Sequence, residues 1–202
     1  MLFRSPKAIQ VTDRFHVQKL AIQALQDLRI KYRWEALDQE NQQIKLSRAA
    51  DKEFKSVTFS NGDSSKQLLA RSRYLLYKSP DKWTPNQKDR GQILFNQYPE
   101  LKKAYALVQG LRNIFNQAID IKVAYTKLAH WYKDVEESGF KSFQTVANSI
   151  TLNYRSVLNY FLNRSTNASA ESFNDKVKAF RSQFRGVRNT EYFLYRLIKL
   201  YS

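Results

Sequence analysis

The chain has 202 residues and carries 34 Lys and Arg against 18 Asp and Glu, a formal net charge of +16. An excess of that size asks for a polyanionic partner: nucleic acid before a membrane surface, because neutralised phosphates release counterions and no lipidation signal is present. The absence of Cys excludes disulfides, thiolate catalysis and Cys-ligated zinc, and His16 and His130 are too few for a histidine cage.

With 13 Phe and 12 Tyr but only 5 Gly and 4 Pro, the chain can fill a core and has few residues for tight turns, which favours helices. In chain order, the start (Met1 to Lys7) has no apolar stretch after its basic residues and does not read as a signal peptide. No run of about 18 apolar residues predicts a spanning helix, so a cytoplasmic protein is expected. Residues 8–12 alternate apolar and polar and predict a short strand, ending at Asp13. A lone strand cannot satisfy its own backbone, so its sheet partners are expected outside this sequence, as in a fragment.

Val17, Leu20, Ala24, Leu25, Leu28 and Tyr32 then recur at helical spacing and predict a long helix over 15–49, polar and exposed around 39–45. Asn61-Gly62-Asp63 marks a loop over 56–65, followed by a short basic helix over 66–77. Thr84-Pro85 fits an N-cap with proline at the first helical position, opening a helix to Gln97; Pro99 opens another to Gln117. Further helices are expected over 119–138, 140–163, 169–185 and 190–201, with Gly139 and Gly186 placed where helix ends want a positive φ.

Two places could carry chemistry. In the helix over 169–185, Glu171 heads a face that continues through Lys178, Arg181 and Arg185, opposite an apolar stripe of Phe173, Val177, Phe180 and Phe184. An acid in a first turn complements the helix dipole, and on the helix alone that is the simpler account of Glu171. The cations fit either a solvated face or a phosphate-binding row. Asp13, at the expected strand end and just before a helix, suits a metal-binding carboxylate, yet alone it reads more simply as an N-cap.

Together the two segments are more specific. Asp13-Arg14-Phe15-His16 resembles the Asp-x-Phe-His segment of one group of insertion-sequence transposases. Residues 163–178, with Thr166-Asn167, Ala170-Glu171, Asn174 and Lys176-Val177-Lys178, resemble that group's Thr-Asn-x-x-Ala-Glu-x-x-Asn-x-Lys-Ile-Lys segment. Gly186-Val187-Arg188-Asn189, then Glu191 and Phe193, are similar to its ending. These are DDE transposases with a ribonuclease H-like core interrupted by a large all-helical insertion.

The resemblance implies a mainly α chain: partial core over 1–35, helical insertion over 36–160 and carboxy-terminal core helices over 161–202. It implies Asp13 as the second catalytic Asp and Glu171 as the catalytic Glu, both holding Mg²⁺ or Mn²⁺ for DNA strand cleavage and transfer. Lys178, Arg181, Arg185 and Arg188 are the candidate DNA-binding cations. The partners expected are insertion-sequence ends and target DNA in the nucleoid, with a homo-oligomer left open and no membrane. The family's first Asp precedes the second, and residues 1–12 hold no Asp or Glu. The chain is therefore expected to be truncated and inactive alone. The alternatives are a non-catalytic helical nucleic-acid-binding protein and a regulator of an intact transposase.

Overall fold

The computed structural model describes residues 9–164, 168–184, 186 and 189–201. It contains two compact units, residues 1–163 and 164–202. Among the described residues there are nine α-helices and no strand.

Residues 9–12 correct one expectation. They are not a strand. With no neighbouring strand to pair with, their polar groups turn to the helix Tyr154–Asn163. Thr12 N–H donates to the Ser156 carbonyl at 2.8 Å, and Asn159 Nδ2 donates to the Gln10 carbonyl at 2.9 Å. Backbone groups must find partners somewhere, and here a helix surface supplies them.

Helix α1, Arg14–Ala49, runs unbroken for 36 residues, about 54 Å at 1.5 Å per residue. Its first half buries Val17, Ala21, Ala24 and Leu25; beyond Ala36 nothing is buried, as the polar run around 39–45 requires. The helix passes through position 36 without interruption, so no break in the backbone accompanies that composition change.

The loop over 51–64 follows, closed by an isolated bridge between Thr58 and Ser64. Its anchor is Asp63, a fully buried carboxylate paired with Arg71 and, at 3.0 Å, with Arg90. Burial pushes the Asp63 carboxyl up, but hydrogen bonds from Arg90 and Arg71 outweigh it and hold the group below the usual carboxylate value. The basic helix expected over 66–77 is shorter. Helix α2, Ser65–Arg71, ends where Ser72 Oγ donates back to the Leu68 carbonyl at 2.7 Å, and the chain continues through a 3₁₀ turn, Leu75–Tyr77.

Helix α3, Pro85–Gln97, starts with the expected cap: Thr84 and Gln87 bond each other's backbone N–H in a capping box. Helix α4, Pro99–Gln117, is the centre of the core, burying Leu101, Ala104, Val108, Leu111 and Phe115 at spacings of three and four. Helix α5, Ile121–Ser138, is capped by Asp120 and ends at Gly139 with φ 69°, the left-handed residue expected there. Its Trp131 indole is buried and donates to the Leu107 carbonyl at 2.9 Å.

The helix expected over 140–163 is two helices, α6, Lys141–Leu152, and α7, Tyr154–Asn163. Polar side chains around the break bond to local backbone. Asn153 Nδ2 donates to Ser149 O, Thr151 Oγ1 to Ala147 O and Ser156 Oγ to Asn153 O, all at 2.9 Å. Such side chains compete with the helical ladder.

In the second unit, α8, Ala168–Gln183, and α9, Thr190–Tyr201, pack through Phe180, whose ring lies 4.5 Å from Phe184 and 5.4 Å from Phe193.

Candidate active site and cationic helix

Asp13 is buried, 2 % exposed, and sits at the N-cap of α1. Its Oδ1 accepts from the Phe15 N–H at 2.9 Å, and its backbone carbonyl accepts from the His16 N–H at 3.1 Å. The capping role read from the sequence is therefore real, and it fixes the carboxylate at the first turn of α1. The Thr12–Ser156 contact immediately before it ties this end of α1 to α7. The hydroxyls of the two residues meet at 2.7 Å.

Glu171 falls at the start of α8, and its side chain lies outside the described residues. Asp13 and Glu171 belong to different units. Carboxylate oxygens are the donors that hard ions such as Mg²⁺ or Mn²⁺ take. Among the described residues, however, no three His, Cys, Asp or Glu come together as a metal-holding group.

The cation row is described in part. Lys178 is exposed and lies 3.2 Å from Asp175, both side chains about three-quarters exposed, a pairing that contributes little in water. Arg181 is exposed. Arg185 and Arg188 lie outside the described residues. Of the opposite face, Phe180 is buried and Val177 and Phe184 are half-buried, while the Phe173 side chain lies outside the described residues. Gly186 has φ 96°, the expected left-handed residue, and Asn189 caps α9 by accepting from the Tyr192 N–H at 3.0 Å.

A family model described as a transposase, of the ISL3 type within the DDE group, matches residues 3–197. The chain belongs to that transposase family. No curated protein and no solved structure matches it. The match includes both quoted segments, so the resemblance carried by Asp13-Arg14-Phe15-His16 and by the stretch around Glu171 extends to the chain as a whole. Transposition is the function of the family, DNA its partner, and dependence on a divalent metal a general family trait. Among the described residues of the transposase, no helix is long and apolar enough to cross a membrane.

The sequence pattern missed the buried charges of the first unit. Arg29 of α1 is 6 % exposed; its Nε donates to Gln26 Oε1 at 2.7 Å and its guanidinium to the Leu69 carbonyl at 2.9 Å. The partners lie 3 and 40 residues away, and only the near one shares a helical face with it.

Proposed function

We propose that this transposase handles insertion-sequence DNA by strand cleavage and strand transfer, with Asp13 and Glu171 as two of the three carboxylates the chemistry requires. The reading is carried by one observation. The family match over residues 3–197 contains the Asp13 segment and the Glu171 segment in order, on either side of a long helical stretch. In this proposal residues 1–35 and 161–202 belong to a ribonuclease H-like core, and 36–160 form the insertion.

Asp13 suits its part because its backbone is fixed by the cap of α1 and by Thr12 against Ser156. Carboxylates that take part in phosphoryl transfer must be held in place before the reaction, since positioning supplies much of the rate. Lys178, Arg181, Arg185 and Arg188 are proposed to meet DNA phosphates, and the +16 charge supports a polyanionic partner. Mg²⁺ or Mn²⁺ is the class of ion proposed, and the role assigned to Asp13 and Glu171 stops at supplying oxygens to it. Location with the nucleoid follows from the DNA partner.

Two carboxylates hold divalent ions less well than three, so residues 1–202 alone are proposed to bind DNA without cutting it. The test is a nicking assay with Mg²⁺ on insertion-sequence ends. It compares this chain with one extended upstream by core strands bearing a further Asp. Cleavage by the extended protein alone supports the reading. Robust cleavage by the 202-residue chain, or none by either, contradicts it.

A further inference from the structure

The face of the first unit where α1 meets the stretch between α2 and the 3₁₀ turn gathers positive charge, with the Asp81 carboxylate near enough to Arg112 to feel its charge. Gln26 Nε2 donates to the Arg73 carbonyl at 3.2 Å, which fixes residue 73 against α1. Arg29 reaches the Leu69 carbonyl on the same side, and Arg33 stands one helical turn further along α1. On the far side of the 3₁₀ turn, Arg112 donates to the Tyr77 carbonyl at 2.8 Å. None of the ion pairs among the described residues involves Arg29, Arg33, Arg73 or Arg112. Nearby Arg71 and Arg90, by contrast, both pair with Asp63, whose single charge offsets one of the two.

The crowding has an energetic sign. The Arg29 guanidinium is disfavoured in its charged form first by burial and then by the charges of Arg33 and Arg73. Arginines that repel one another on a folded surface are stabilised by an anion that meets several at once. The patch also offers an aromatic surface. Tyr74 is 67 % exposed, and the Arg73 guanidinium lies over its ring at 5.5 Å. Phosphate-binding arginine beside an exposed ring is the combination that tracks a nucleic-acid strand, with charge meeting the backbone and the ring meeting a base.

We infer that Arg33, Arg73 and Tyr74 form a DNA contact additional to the α8 row, with the two arginines on the phosphate backbone and Tyr74 stacked on an unpaired base. Arg29 is a positioning residue: buried and bonded to Leu69 O, it holds the α2 end against α1. The inference rests on the reading of the chain as a DNA-handling transposase, and it assigns part of the DNA interface to the first unit.

The test is fluorescence-anisotropy titration of the full chain with short labelled single-stranded and duplex DNA across a salt series. Three variants are compared: Arg33→Gln with Arg73→Gln, Tyr74→Ala, and Arg181→Gln. The altered side chains are exposed, and far-UV circular dichroism checks that each variant keeps its helices. The double variant should lower the salt slope by about 0.7 per lost contact on single strands and about 0.9 on duplex. Tyr74→Ala should weaken single-strand binding several-fold more than duplex binding, and Tyr74→Phe should restore it. An unchanged slope in the double variant, while Arg181→Gln lowers it, overturns this contact and leaves the DNA reading intact. No DNA binding by the unaltered chain overturns both. Polyglutamate competing as well as DNA does, with the same loss in the double variant, would make the patch an acidic-protein site and overturn the inference.

Discussion

Thr12 and Ser156 lie 144 positions apart, yet they meet twice, through the Thr12 N–H to the Ser156 carbonyl at 2.8 Å and between their hydroxyls at 2.7 Å. This contact stands one residue before Asp13 and fastens the start of α1 to α7. Ser156→Ala keeps the backbone bond and removes two hydroxyl bonds, the one to Thr12 and the one to the Asn153 carbonyl. A net loss of about 2 kcal/mol is expected, at the usual ~1 kcal/mol for each hydrogen bond. Urea melts check the magnitude. In an active, extended protein the same change should lower cleavage more than DNA affinity, because it loosens the seat of Asp13 rather than the cation row.

Asp63 gives a pH prediction. Its carboxyl lies below the ordinary 3.8 when folded, held there by Arg90 and Arg71 against the opposing effect of burial. Between the lower folded value and the unfolded one, the unfolded chain binds the proton and the folded chain does not. Its contribution is therefore present above the unfolded value, near 3.8, and lost as the pH falls through the folded one. Asp63→Asn should lower stability at pH 7 and flatten the acid limb of the stability curve below about pH 4. Equal acid limbs in the two proteins would show that the two arginines do not hold the proton off.

Gly91→Ala should destabilise α3, against the usual gain. In an open helix, alanine is favoured over glycine by about 1 kcal/mol. At Gly91, however, a Cβ would stand 2.8 Å from the Trp83 ring. That ring cannot move away freely. Its indole N–H is bonded to Leu75 O at 2.8 Å, and it packs on Phe95 and Tyr105. A loss of about 1–3 kcal/mol, the usual cost of overpacking, is expected in thermal or denaturant melts.

The two faces of α8 should respond differently. Phe180, buried against Phe184 and Phe193, should cost about 3–5 kcal/mol of second-unit stability on truncation to Ala. Lys178→Ala should stay within about 0.5 kcal/mol. Hydrogen exchange across 168–201 reads that unit by itself, and similar losses in both variants would contradict the face assignment.

The helices were legible where chain chemistry dictates them locally. Thr84-Pro85, Pro99 and Gly139 mark ends that the structure places at those residues, because caps and positive φ are properties of a few neighbouring positions. The break at Asn153 was not legible, since apolar spacing continues across it and only the side-chain bonds to Ser149 and Ala147 reveal it. The run over 9–12 has a strand's alternation but no strand to join among the described residues, and alternation alone cannot supply one. Of the site, the capping position of Asp13 and the buried stripe through Phe180 were readable. The charge network of Asp63 with Arg71 and Arg90, and the patch around Arg73, depend on contacts far along the chain.

The measurement closest to the central claim compares an extended, cleaving chain with its Glu171→Gln variant, scoring Mg²⁺-dependent nicking and DNA affinity side by side. Glutamine keeps the size of the side chain and loses the charge. The account predicts that Glu171→Gln abolishes nicking at insertion-sequence ends and leaves DNA affinity within about twofold, because affinity is set by phosphate contacts elsewhere. Full nicking by the Gln variant, or loss of DNA binding together with loss of nicking, would contradict it.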